Sequence, residues 1–239
     1  MSTFAQSMKV EVLRRKGTRH MRLRLGHANQ LIASVPWHCS EAEVRRFVDA
    51  QQVWIEAQLA KVPPPKRLVD WLTEHPRLSG SGDIYAVRIE RHSHGRVGYS
   101  FDRGGSEIIL QIPDSSEPAD TTLTQLVQRF AKDALTCRVA YHAKRLGLAF
   151  TKLSVRDQSS RWGSCSSSGG ISLNWRLVIV DPHLQDYVIL HELAHLTEMN
   201  HSRRFWSLLD SYDANRRAHE EELDALTPAI MRVGRPTQG

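Results

Sequence analysis

Asp181-Pro182-His183-Leu184-Gln185-Asp186-Tyr187-Val188-Ile189-Leu190-His191-Glu192-Leu193-Ala194-His195 is the stretch on which the reading of this chain turns. Aspartate followed by proline is a strong helix opening, because the acid caps free amides and proline fits the first helical position. The helix predicted from here runs to about Met199. It carries His191, Glu192 and His195 in the pattern H-E-x-x-H. Four helical residues advance about 400° and about 6 Å, so both imidazoles lie on one face and can hold one metal ion. Glu192 is rotated about 100° from His191. That takes it away from the ligand positions but leaves it within reach of a water on the ion, where a general base is needed. The neighbours Val188, Ile189, Leu190, Leu193, Ala194 and Leu196 are apolar, a setting in which polar groups need a partner such as a metal.

A catalytic zinc has three protein ligands and an open position, whereas a structural zinc is closed by four. His201 is the best third ligand. On a continuous helix it would sit about 240° round and about 9 Å further along, so the helix must break near Met199-Asn200. Asparagine tolerates the left-handed conformation that such a break favours. The histidine spacing matches that of metzincins, although they have glycine where this chain has Glu198. Met231 is a weaker candidate for a methionine turn of that type. An acid from Glu220-Glu221-Glu222 is the rival third ligand.

Upstream of the helix, Lys152–Arg156 reads as a strand, Ser159–Gly170 as a Ser/Gly-rich stretch, and Ile171–Leu177 as an alternating strand. Trp162-Gly163-Ser164-Cys165 and the following strand are readable as a sheet edge beside the metal, to which an extended peptide adds. In that reading Asn174 or Trp162 lines the cleft; in the other, the segment is a tight hairpin whose Trp and Cys pack. Arg161, Tyr187 and Tyr212 are candidates to stabilise an oxyanion, and the sequence does not choose among them. Cys165 has no cysteine partner at zinc-finger spacing, which argues against a ligand role. Further upstream, a long helix is expected from about Thr122 to Leu146, stopped by Gly147. Strands are expected at Ile84–Glu90, Val97–Phe101 and Glu107–Ile112, with a polar loop over Asp114–Asp120. Nearer the start, strands are expected at Lys9–Arg15, Arg19–Leu25 and Gln30–Val35. A helix capped by Ser40 and Glu43 follows and ends near Lys61. Pro63-Pro64-Pro65 makes a stiff spacer. Beyond the metal region, helices are expected at Arg203–Tyr212 and Ala218–Leu226.

The bulk properties are those of an ordinary globular chain: 239 residues, 41% hydrophobic and 24% charged. They exclude collagenous and disulfide-scaffold classes. No apolar run reaches the ~18 residues of a spanning helix and no signal peptide is visible, so a cytoplasmic protein without a membrane partner is expected. Three scattered cysteines fit a reducing compartment. The net charge is +6. Its basic excess gathers near the start, where Arg14, Arg15, Lys16, Arg22 and Arg24 are candidates for contact with nucleic acid or, alternatively, the solvated face of a strand pair.

Several motifs together carry a family resemblance. They are Arg161-Trp162-Gly163-Ser164-Cys165, Asn174-Trp175-Arg176-Leu177, Tyr187-Val188 ahead of His191-Glu192-Leu193-Ala194-His195-Leu196, Asn200-His201-Ser202, and Phe205-Trp206. With them the chain resembles the YgjP-like metallopeptidase family, whose relatives are SprT-like and WLM zinc proteases. The match is densest from Leu153 to Leu209. The resemblance implies an α+β, zincin-like fold with an H-E-x-x-H helix, a long backing helix and a mixed or antiparallel sheet. It implies one catalytic Zn2+ on His191, His195 and His201, with Glu192 activating a zinc-bound water against a peptide bond. The expected organisation is a β-rich region of unassigned role over 1–112, a catalytic domain over 113–226 and a flexible tail over 227–239. The expected partner is a peptide or protein substrate. The rivals are a nucleic-acid-associated protein, including a protease that acts on DNA-bound proteins as some SprT-like relatives do, and a catalytically silent metal-binding scaffold.

Overall fold

The structure, a computed structural model, describes residues 10–26, 31–61, 63–93, 96–114 and 119–235. Lys9, Gln30, part of the Asp114–Asp120 loop and the last four residues of the expected tail lie outside the described residues. The described chain is a mixed α+β fold with seven α-helices and three small mixed sheets. It divides into two units, one of residues 1–66 with 235–239, the other of residues 67–234.

In the first unit, strands β1 (Val10–Arg15), β2 (Arg22–Leu25) and β3 (Leu31–Pro36) form a sheet in the order β1-β3-β2. β3 is parallel to β1 and antiparallel to β2. Pro36 ends β3, and helix α1 (Glu41–Ala50) opens with Ser40 and Glu43 bonded reciprocally in a capping box. Ala33, Val35 and Val44 form its small core. The helix expected to run on to Lys61 is broken at Gln51, with α2 (Gln52–Leu59) beyond it.

The second unit begins with two elements absent from the sequence reading, helix α3 (Leu68–Glu74) and strand β4 (Arg77–Gly80). β4, β5 (Asp83–His92), β6 (Gly98–Phe101) and β7 (Glu107–Pro113) form a sheet in the order β4-β5-β7-β6. The alternating burial of β7 turns Ile108, Leu110 and Ile112 into the core. Helix α4 (Ala119–Leu146) runs through that core, burying Leu123, Leu126, Val127, Phe130, Leu135 and Val139. It stops at Gly147, whose φ of 66° suits a left-handed cap. β8 (Lys152–Arg156), β9 (Gly163–Cys165) and β10 (Gly170–Asn174) form the third sheet, ordered β8-β10-β9 with β9 at an edge. Expected as strand to Leu177, the chain instead turns into a 3-10 helix over Trp175–Ile179, all five residues buried. Burial on every side removes the alternation that a half-exposed strand needs. Helix α5 (Pro182–Ala194), α6 (Arg203–Tyr212) and α7 (Arg216–Ile230) complete the unit.

Two expected boundaries are corrected. The division falls after Lys66, beside the proline run, and not at 112/113, because the β4–β7 sheet shares its core with α4 and α5. The expected tail starts later than Thr227: α7 continues to Ile230, and Ile230, Met231 and Val233 are buried. Arg176, with no exposed surface, holds that end by donating to the Val233 carbonyl at 2.8 Å and pairing with Asp157 at 2.5 Å.

Candidate metal centre

α5 is fixed through its N-terminal half. Gln185, fully buried, donates to the Ser79 and Leu177 carbonyls at 2.9 and 2.7 Å. Asp186 accepts from Arg138 and faces His142 Nε2 at 2.9 Å, tying α5 to α4. At the N-terminus Asp181 occupies the cap position, and its carboxylate pairs with Arg77 at 3.2 Å.

His191 and Glu192 lie in the last turn of α5, and His195 is its C-cap. The helix ends at Ala194, five residues before the expected Met199, and tight turns carry the backbone on through Thr197 and Glu198. The turn brings the Glu198 carbonyl to 3.1 Å from His195 Nδ1. A proton donated there leaves the Nε2 lone pair outward, the orientation a ligand needs. His201 follows at once, and Ser202 caps α6 through the Phe205 amide.

One nitrogen from each of His191, His195 and His201 lies within 4.8 Å of the others, and the His191 and His201 Nε2 atoms are 3.0 Å apart. His191 is half-buried, His195 buried and His201 exposed. Burial, together with the neighbouring imidazoles and Arg216, pushes His191 down to about 3, and burial also lowers His195. Neutral imidazoles are the form that binds a metal. Three imidazole nitrogens gathered this closely form a group that could hold one metal ion. The acids of the rival set are engaged elsewhere: Glu220 with Arg216 at 2.9 Å and Glu222 with His183 at 3.0 Å. Met231 sulfur meets Asn174 Nδ2 at 3.4 Å.

The rings rest on a platform that the motif did not disclose. Phe205, fully buried, has its centroid 5.0, 4.5 and 4.7 Å from those of His191, His195 and His201. Trp206 stacks on His201 at 5.4 Å, and the Arg216 guanidinium covers the same indole at 4.6 Å. The signal for Phe205 was its place three residues after the Ser202 cap, which turns it inward on the first helical turn.

Glu192 is buried in α5's last turn, and among the described residues its Oε2 has no hydrogen-bond partner. Burial pushes its carboxyl up to about 8, tempered by the charge of Arg161. The carboxylate lies against β9 at Gly163, where a β-carbon would sit 2.5 Å from Oε1. The Trp-Gly-Ser-Cys segment therefore matters for its glycine, which lets the strand close on the acid. Burial and the Glu192 charge raise the Cys165 thiol, which keeps it protonated and unsuited to nucleophilic attack.

The other candidates separate. Arg161 is exposed and electrostatically coupled to Glu192. Tyr187 is buried, meets the His191 ring at 6.1 Å, and has its phenol raised by burial. Tyr212 is half-buried and packs on the core from the end of α6. Trp162 donates its indole proton to Thr227 at 2.8 Å. Asn174 does not line a cleft: it is fully buried, its amide donating to the Gln158 and Arg161 carbonyls, both at 2.9 Å, so it shapes the loop that carries Arg161. In the first unit Arg14, Arg15, Lys16, Arg22 and Arg24 are all exposed. The strand register puts Arg15, Arg22 and Arg24 on one face and Arg14 on the other, where it donates to the Cys39 carbonyl. They do not share one surface.

A helix that presents two imidazoles and a buried acid, with a third imidazole returned by the following turn, is the arrangement of a metallopeptidase centre. The chain belongs to the YgjP-like metallopeptidase domain family, whose model matches residues 19–226. Comparison with curated proteins and with solved structures finds no match. Among the described residues no helix is long and apolar enough to cross a membrane.

Proposed function

We propose that the protein is a zinc peptidase of the zincin type, with His191, His195 and His201 holding one zinc ion and Glu192 acting as general base and acid. The observation that carries this reading is the convergence of three imidazole nitrogens within 4.8 Å on the turn of α5 that also bears the unpartnered Glu192 Oε2. Zinc bound there supplies Lewis acidity at a peptide carbonyl. Glu192 takes the proton of the attacking water on Oε2 and returns it to the departing amine. Its burial raises the affinity for that proton, and Arg161 limits the rise. The Glu198 carbonyl holds the His195 ring, and Phe205 keeps water from beneath all three ligands. The edge strand β9 offers backbone groups to an extended peptide, and Arg161, whose charge is felt at Glu192, is the candidate donor for a developing oxyanion.

The test is a peptide-library cleavage assay with and without chelator, beside Glu192→Gln. The expected result is cleavage that chelator abolishes and that falls about 10²–10⁴-fold in Glu192→Gln with zinc content retained. Retained zinc with equal cleavage by both proteins overturns the assignment in favour of a metal-binding scaffold.

A further inference from the structure

The outer face of the β8–β10–β9 sheet carries polar groups that the centre above does not use. Strand register aligns Ser154 of β8, Ser172 of β10 and Ser164 of β9 in a single row across the sheet. Opposed residues in a sheet project from the same face, so the three hydroxyls form a continuous strip. Lys152 and Arg156 stand two residues to either side of Ser154 and share its face. These side chains line an open groove of about 320 Å3 together with Gln158. Gln158 Nε2 donates to Ser172 Oγ at 3.0 Å, which leaves the serine's own proton available to the groove. No carboxylate lines the groove, and among the described residues neither Lys152 nor Arg156 has an ion-pair partner.

The groove meets the candidate centre through β9. Gly163 abuts Glu192 on the inner face of the sheet, and Ser164, the next residue, faces the groove on the outer one. A peptide extended along the edge of β9 alternates its side chains between these faces about every 3.3 Å. One residue then points toward the centre and its neighbour points over the serine row. Two cations flanking Ser154 at the β8 end of a hydroxyl strip, whose other end is Ser164 on β9, suit a carboxylate that lies over the strip and accepts several hydrogen bonds. They do not make the continuous basic track that a nucleic-acid backbone calls for.

We propose that this groove binds the carboxylate of a glutamate side chain on a peptide extended along β9, the long side chain lying over the serine row toward Lys152 and Arg156, so that the protein selects acidic peptides. The placement of the peptide on β9 rests on the peptidase reading, and the test keeps the two apart. Binding of fluorescent peptides that differ only in one Glu, Gln or Lys is measured by anisotropy on the full chain carrying Glu192→Gln, alone and with Lys152→Ser/Arg156→Ser. In parallel the protein with Glu192 intact is assayed for cleavage of the same peptides. The expected result is about five- to tenfold tighter binding of the Glu peptide, weakened by salt and lost in the double variant. Lys152→Glu/Arg156→Glu, which alters only exposed side chains, then reverses the preference toward the Lys peptide. Equal affinity for the three peptides, or a preference unchanged in the double variant, overturns the proposal. So does a groove whose charges govern binding of an oligonucleotide and not of the Glu peptide. Cleavage without an acidic preference leaves the peptidase reading standing and removes this one. An acidic preference without Glu192-dependent cleavage does the reverse.

Discussion

Glu192 fills the space that a side chain at residue 163 would need: a β-carbon on Gly163 would lie 2.5 Å from Glu192 Oε1 and 2.7 Å from its Cγ. The backbone of the edge strand and the buried acid are in direct contact, so the strand fixes the acid's position. Gly163→Ala is therefore expected to displace the carboxylate while leaving the histidine ligands on their own supports. Peptide hydrolysis should fall at least tenfold, zinc content should remain near one ion per chain, and unfolding free energy should drop by about 1–3 kcal/mol. Metal analysis, cleavage rate and urea melts measure the three. Full activity in Gly163→Ala would remove the positioning role of this contact.

Zinc binding should be visible without any substrate. A ligand that binds only the folded state at about 100 times its dissociation constant adds about 2.7 kcal/mol. For a chain of this size that raises Tm by roughly 5–10 °C. Chelator should reverse the rise, and His195→Ala or His201→Ala should abolish it. A melt that is indifferent to zinc speaks against the three-histidine centre.

Asn174 is expected to matter for folding more than for chemistry. It has no exposed surface, and its side chain holds the Gln158 and Arg161 carbonyls while accepting from the Arg176 amide at 3.1 Å. Asn174→Ala orphans these groups and should cost about 2–4 kcal/mol in urea denaturation. An effect below 1 kcal/mol would show that water replaces the side chain.

Acid should loosen α5 from α4 through Asp186. Burial favours its neutral form, but the hydrogen bonds from His142 and Arg138 outweigh it and hold the carboxyl below the usual aspartate range. A carboxyl bound less tightly by protons when folded stabilises the fold above its unfolded pKa near 3.8, and that contribution fades as pH falls through the lower folded value. Between pH 6 and pH 3 the normal chain should therefore lose more stability than Asp186→Asn, which lacks this acid. Parallel losses in urea melts at the two pH values would exclude the linkage.

Legibility followed the range of each interaction. The helix opening at Asp181-Pro182, the paired imidazoles and the necessity of a break before His201 all follow from local helical geometry, and all were readable. The ring platform of Phe205, the carbonyl behind His195 and the closeness of Gly163 to Glu192 depend on chain reversal and strand-to-helix approach, which leave no periodic trace. Trp175 and Leu177 fitted a strand alternation that complete burial does not require, so the 3-10 helix was missed. The division at residue 66 was marked by three prolines, yet β4 and α3 joined the strands after it to the larger core through contacts that no local pattern shows.

The face-to-face placement of Trp206 and His201 gives the chain an optical reporter of its own. An indole's emission responds to the electric field across its ring, and Trp206 already sits between an imidazole and the guanidinium of Arg216. A cation drawing on the His201 lone pair changes that field on one side only. Among the described residues the other five tryptophans make no ring contact with the three histidines, so a change in emission on adding metal is assigned to Trp206 by its loss in Trp206→Phe. Occupancy of the centre can thus be followed in the unlabelled protein, by the colour of its own light.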